Sequence, residues 1–318
     1  MAGRFPQLDF AKGVLILLVL FGHVTYFGEW KPGLDLANSL IYSFHMKCFL
    51  FISGYLGYSG YFGSKLKDGF NKLFTRIAVP YLIFHSGYYL ALGFAGSMGI
   101  KTNTSAPELG VVAFLSTTFL HPVGVYWYLQ QLLFFFAILH LASVAAKNSH
   151  ALFLVLLSCL VLLLHVAGVA LNPFLLLGAL AKLLDIPTRG AYWALVPVLA
   201  VLELLALPDS GDNLLLVLLL VGNVLLFLFA FQTYRSESLI GRVAWLGANT
   251  MPIYALHPYI LIAFKFRPVR EPLLAIDPTG LLHAFTATFG TLIACVLLSK
   301  LIEKVHLDGL LFGRTKKS

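Results

Sequence analysis

Lys12 and His23 frame ten uncharged residues in LDFAKGVLILLVLFGHV, residues 8–24. In a helix that separation rises about 16 Å and turns about 20° past three full turns, so the two side chains share one face. Asp9 precedes Lys12 by three residues and is placed to pair with it. Two more histidines sit in apolar runs, His45 in YSFHMKCFLFISGY and His257 in NTMPIYALHPY. Imidazole is the side chain best suited to general-base work near neutral pH. A base at one end of a helix face and a cation at the other is the pattern to be explained.

The elements that carry these residues are membrane helices. The chain has 318 residues, 59% hydrophobic and 11% charged, with a mean hydropathy of +0.87. Apolar stretches long enough to cross a bilayer recur from end to end, and in lipid only helices or closed barrels satisfy their own backbones. The short alternating segments of a barrel are absent. The expected fold is all-α, a polytopic membrane protein with about ten spans near 8–27, 39–59, 77–97, 110–121 with 125–146, 150–170, 172–184, 190–207, 213–232, 246–266 and 280–302. The 110–121 piece is too short to cross alone and reads as re-entrant or interfacial.

Sixteen lysines and arginines fall on one side of this arrangement and five on the other, with Lys47 inside a span. The positive-inside rule therefore places both termini in the cytoplasm. KFRPVREP, after residue 264, is the cationic exception on the outer side, explained by snorkelling or by contact with an anionic substrate. One domain covers 1–318, with a basic cytoplasmic tail over about 303–318 and no separate soluble domain. The net charge of +8 is a topology signal, and no nucleic-acid partner is expected. Cys48, Cys159 and Cys295 are odd in number and apolar in setting, which gives no disulfide framework.

In this topology His23, His45 and His257 come from three spans at similar depth. Plain alternatives exist: Lys12 as a snorkelling anchor, His23 as a helix–helix hydrogen-bond partner, a proton relay, or a metal site. The histidines lack accompanying Cys, Asp or Glu at ligand spacing, so no metal is expected. The face that runs from Lys12 to His23 suits a long anionic acyl donor, as acyl-coenzyme A is. Its phosphates would meet Lys12 and the basic segment with Lys65, Lys67, Lys72 and Arg76, and its thioester would lie near His23. No phosphate-cradling glycine loop is present. Ser53 beside Gly54 reads as a packing residue. Trp127 and Gln130 are candidate sugar contacts, with an interfacial aromatic anchor as the alternative for Trp127.

Five stretches in order resemble the integral-membrane acyltransferase 3 family: LDFAKGVLILLVLFGH, IYSFHMKCFLFISGYL, RIAVPYLIF, YWYLQQLLFFF and LGANTMPIYALHPY. They run from residue 8 to 259, and the Phe-His-Met form is closest to the fucose 4-O-acetylase-like subgroup. The resemblance implies a bacterial inner-membrane, multi-pass O-acyltransferase with no bound cofactor. Its donor would be cytoplasmic acyl-CoA, usually acetyl-CoA. Its acceptor would be a hydroxyl of a cell-surface glycan or lipid-linked sugar, and membrane lipids would surround it. His23 then matches the catalytic histidine, with Lys12, Lys72 and Arg76 on the donor side. Beyond the resemblance, the residues themselves lead us to expect Asp9, His45, Lys47 and His257 to support the cavity, Lys47 because a lipid-facing charge at that depth is costly, and Trp127 and Gln130 to face the acceptor. The chain departs from the pattern at Lys47-Cys48, where the family has Pro-Leu. The alternative class is a glycan exporter, which would use broken helices at mid-membrane but has no need of a base above a donor-phosphate site.

Overall fold

The computed structural model describes residues 6–98, 107–147, 149–185 and 239–314, and the described residues contain helices and turns without a strand. The helices are α1 (Pro6–Gly22), α2 (Lys31–Tyr61), α3 (Leu66–Leu73), α4 (Val79–Ser97), α5 (Val111–Phe119), α6 (Trp127–Ala146), α7 (His150–Val166), α8 (Pro173–Leu183), α9 (Leu239–Ala248), α10 (Thr250–Leu261), α11 (Arg267–Ile276), α12 (Leu281–Lys304) and α13 (Asp308–Phe312). Three continuous helical stretches among them are long and apolar enough to cross a membrane: Leu66–Ser97, Gly124–Ala146 and Leu281–Lys304.

Several boundaries depart from those expected. α2 begins eight residues before its expected span and runs for 31 residues. The expected 246–266 span is broken at Asn249, whose Nδ2 donates to the Trp245 carbonyl at 2.8 Å, so α9 and α10 are separate. α3 leads into α4 through a π-helical turn, Phe74–Ala78. KFRPVREP forms much of α11, which begins with Pro268 in its first turn, where a missing N–H is tolerated. The expected spans 190–207 and 213–232 lie outside the described residues.

The chain divides into two compact units, Met1–Ile52 with Leu180–Ser299 and Ser53–Ala179 with Lys300–Ser318. In the first, α1 packs along α9. A side chain on Gly13 would strike the Val243 carbonyl, and one on Gly247 would strike the Asp9 carbonyl. The two backbones touch, which only glycine allows at both positions. Beyond α1, the Glu29 N–H donates to the Pro278 carbonyl at 2.9 Å and the Trp30 N–H to that of Thr279 at 3.1 Å. Gly28 and Gly280, with φ of +89° and +86°, take the left-handed conformation at this loop–loop contact. Val24, Tyr26, Leu34, Leu261, Ala284 and Ala287 form the adjoining core.

In the second unit, Gly54 lies against the Leu175 backbone and Gly57 against the Phe136 ring. The Ser53 and Tyr128 hydroxyls are 2.7 Å apart, a hydrogen bond between α2 and α6. His140 is fully buried, with Nδ1 3.3 Å from the Tyr61 carbonyl and Nε2 3.1 Å from that of Leu66. Phe312 of α13 stacks on Phe84.

Asp277 organises the start of α12. Its carboxylate accepts from the Leu282 N–H at 2.7 Å, the Thr279 N–H at 3.0 Å and the Thr279 hydroxyl at 2.6 Å. These bonds, that from Leu282 foremost, hold its carboxyl below the usual carboxylate range. A depressed folded-state value gives stability that is present above the ordinary carboxylate range and is lost as pH falls through the folded-state value. Asp277→Ala is expected to lower the melting temperature in detergent at neutral pH, with the gap to the parent protein closing in acid. Thermal-shift curves over a pH series check this, and a pH-independent gap would count against the assignment.

Candidate active site

The first unit brings His23, Tyr42, His45 and His257 together. His23 closes the last turn of α1, its N–H lying 3.1 Å from the Val19 carbonyl. Gly22 just before it is buried, and a Cβ there would come 2.9 Å from the Tyr42 ring and 3.3 Å from Asn38 Oδ1. The absent side chain lets α2 approach until the Tyr42 hydroxyl stands 3.0 Å from His23 Nδ1. The His23 and His257 rings are 5.3 Å apart between centroids. The Tyr42 and His45 rings meet edge-on at 4.9 Å.

The backbone fixes the tautomers of the two flanking imidazoles. In α10, Pro258 has no N–H to give the carbonyl of Tyr254 four residues earlier. His257 takes that carbonyl, donating Nδ1–H to it at 2.8 Å. His45 donates Nδ1–H to the Ile41 carbonyl, four residues back, at 2.6 Å. Both rings are fully buried, and the Nε2 of each has no partner among the described residues. In the neutral form each Nε2 carries a lone pair that can accept a hydrogen bond, and a charged ring would instead bury an N–H with no acceptor. At His23 the Tyr42 hydroxyl can donate or accept, and the tautomer in which Nδ1–H donates to it is the one that leaves Nε2 as the basic nitrogen. The arrangement provides one base oriented by a hydroxyl, between two rings that present acceptor nitrogens.

The remaining expected residues are placed as follows. Lys12 pairs with Asp9 at 3.0 Å, on the stretch of α1 that touches α9. Lys47 is half-buried. Two residues beyond His45 the helix has turned about 200°, so Lys47 leaves α2 on the face opposite the histidines. In the second unit, Lys72 donates to the Gly60 carbonyl at 2.8 Å and lies 4.9 Å over the Tyr61 ring. It thus caps the C-terminal end of α2, where a cation is favoured. Arg76 is exposed within the π-helical turn, and Gly313 seats on its backbone. Gln130 is buried with Nε2 unpartnered, and Trp127 is half-buried. Gln131 is the amide that does bond, donating to the Ala170 carbonyl and accepting from the Asn172 N–H at 2.8 Å. Among the described residues no group of three His, Cys, Asp or Glu is disposed to hold a metal ion.

Tyr42 was not singled out by sequence. It lies three residues before His45, one turn away on the same face, in a chain with 14 tyrosines where one more carries no signal.

A family model described as an acyltransferase domain matches residues 5–300, and the chain belongs to the acyltransferase 3 family. It is 30% identical over 176 residues to nodulation protein NolL of Sinorhizobium fredii (strain NBRC 101917 / NGR234), a match that covers 54% of this chain and 45% of that relative. It is 34% identical over 85 residues to the protein of the same name from Mesorhizobium japonicum (strain LMG 29417 / CECT 9101 / MAFF 303099), covering 26% and 23%. The chain thus spans less than half the length of either relative. No solved structure matches it.

The Tyr42 hydroxyl orients His23 through one hydrogen bond, an interaction worth about 0.5–1.5 kcal/mol. Tyr42→Phe is therefore expected to lower kcat for acyl transfer about 2- to 10-fold while leaving the amount of protein in the membrane unchanged. Steady-state kinetics on purified protein check this, and an unaltered kcat would remove Tyr42 from the site.

Proposed function

We propose that this protein is a polytopic inner-membrane O-acyltransferase with about ten spans and both termini in the cytoplasm. It moves an acyl group, acetyl in the first instance, from cytoplasmic acyl-CoA to a hydroxyl of a cell-surface glycan or lipid-linked sugar. The observation that carries the reading is His23, held through Nδ1 by Tyr42 beside two buried imidazoles, in a chain of the acyltransferase 3 family.

In this mechanism His23 Nε2 takes the proton of the acceptor hydroxyl as its oxygen attacks the thioester carbonyl. The tetrahedral intermediate collapses with cleavage of the C–S bond. The departing thiolate receives the proton from the His23 imidazolium, and base and charge are restored. The unpartnered Nε2 atoms of His45 and His257 are acceptors for hydroxyl protons near the reacting centre. No acyl-enzyme is needed, and Ser53 is engaged with Tyr128.

Lys12, Lys72 and Arg76 are each assigned a separate contact with the donor's phosphates. Lys72 has further N–H donors beyond the one given to Gly60. A charge-assisted contact is worth about 1.5–3 kcal/mol, so Lys12→Met and Arg76→Met should each raise the acyl-CoA KM at least tenfold with a smaller effect on the acceptor KM. Donor-titration kinetics that left both KM values unchanged would detach these cations from donor binding.

His23→Ala is the decisive variant. Loss of a general base lowers rate by about 10²–10⁴-fold, so acyl transfer should all but vanish while membrane insertion persists. The measurement is thiol release from acyl-CoA together with mass detection of the acylated acceptor. A variant within twofold of the parent would end the assignment, and a parent that moved glycan across vesicles without consuming acyl-CoA would place the protein among exporters.

A further inference from the structure

One face of α2 carries an unbroken run of polar side chains, of which the chemistry above uses only Tyr42 and His45. Lys31, Asp35, Asn38, Tyr42 and His45 recur at steps of four, three, four and three, which in a helix keeps them within about 40° of a common line. Lys31 and Asp35, at the exposed end, form an ion pair. Asn38 comes next, and its Oδ1 is buried without a partner among the described residues. That oxygen lies over Gly22, 3.3 Å from where a Cβ would stand, next to the residue that bears the base. Tyr42 follows, bonded to His23 yet 43% exposed, so one side of its ring stays open. His45 ends the run with its Nε2 unpartnered.

A buried amide oxygen with no donor costs about 1–3 kcal/mol, and a ligand hydroxyl removes that cost. The run offers acceptor atoms at one-turn intervals and, with Lys31 and Asp35 cancelling, no net charge. From this geometry we infer that the face of α2 from Lys31 to Tyr42 is the acceptor subsite. It takes a neutral polyhydroxylated sugar, with Asp35 and Asn38 as its specificity-determining residues. The inference rests on the acyltransferase reading and adds to it where the acceptor lies and what charge it carries. Ring hydroxyls donate to the Asp35 carboxylate and to Asn38 Oδ1, and the hydroxyl to be acylated then lies beside Tyr42 and His23.

The test uses the full chain in detergent with acyl-CoA and alkyl glycosides of a neutral hexose, a 6-deoxyhexose and a hexuronic acid. The parent should acylate the neutral glycosides in preference to the acid. Asn38→Ala and Asp35→Asn should each raise the KM for the neutral glycoside about 3- to 10-fold and hold the acyl-CoA KM within twofold. Leu36→Ala, on the far side of the same helix turn, should leave the glycoside KM at the parental value. A parent that transfers acyl groups with glycoside KM values unmoved in both variants, or that prefers the acid, overturns the subsite and leaves the enzyme reading intact. A parent that transfers nothing removes both.

Discussion

His23 has its position because α1 is held by backbone contact at both of its ends. Near Lys12, Gly13 and Gly247 let α1 and α9 meet with carbonyl oxygens where side chains would otherwise stand. Beyond His23, Gly22 admits the Tyr42 ring, and Gly28 and Gly280 lock the following loop against the turn before α12. In a chain this apolar, dispersion and close backbone approach replace much of the hydrophobic drive that packs soluble helices. Any Cβ at Gly13 or Gly247 would push α1 off α9 and carry the Asp9–Lys12 pair with it.

The second constraint is that polar groups in apolar surroundings must find partners inside the chain. Backbone carbonyls meet much of that demand, and the imidazoles exploit it: Pro258 releases the Tyr254 carbonyl, which His257 takes, and His45 shares that of Ile41. Each such bond fixes a ring and decides which nitrogen keeps its lone pair. The same logic operates in the second unit, where Lys72 and His140 meet carbonyls at and just beyond the end of α2. Among the described residues satisfaction is incomplete at Asn38, His45 and His257, and also at His85, Gln130, His283 and Thr291. In the proposed acceptor subsite, the uncompensated atoms beside His23 are those to which a hydroxylic ligand would bring its own donors.

Much of this site was legible in sequence because its signals were strong. The eleven-residue interval from Lys12 to His23 fixes a shared face on any helix, and a histidine in an apolar run stands out. The role of Pro258, which frees the Tyr254 carbonyl for His257, emerged only with the structure. What escaped had no contrast with its surroundings or depended on distant atoms. Tyr42 is a tyrosine among apolar and aromatic residues. The π-helical turn at Arg76 adds one residue to a hydrogen-bonded ring and leaves no mark in the residue pattern. α11 holds Pro268 and Pro272 within ten residues, a composition that reads as loop. The break at Asn249 was marked by GANT, but the apolar MPIYAL after it suggested a continuous span. Lys47 was expected to face the cavity because a charge turned to lipid is costly, whereas helix rotation turns it away from the face of His45.

Three imidazoles at one site also constrain how a proton can be handled. Two unit charges 5.3 Å apart, the His23–His257 spacing, repel by about 3 kcal/mol at an effective dielectric near 20. A second cation beside the first is therefore disfavoured by roughly a hundredfold. In the proposed transfer the proton that His23 takes from the acceptor must leave with the thiol before another acceptor can be activated. The ring partners of His23 among the described residues are Tyr42 and His257, and neither is a carboxylate that would hold the proton on an imidazolium. A triad with a buried aspartate would stabilise the charged base. This site instead pairs it with a neutral hydroxyl, which orients the ring while leaving the proton easy to pass on.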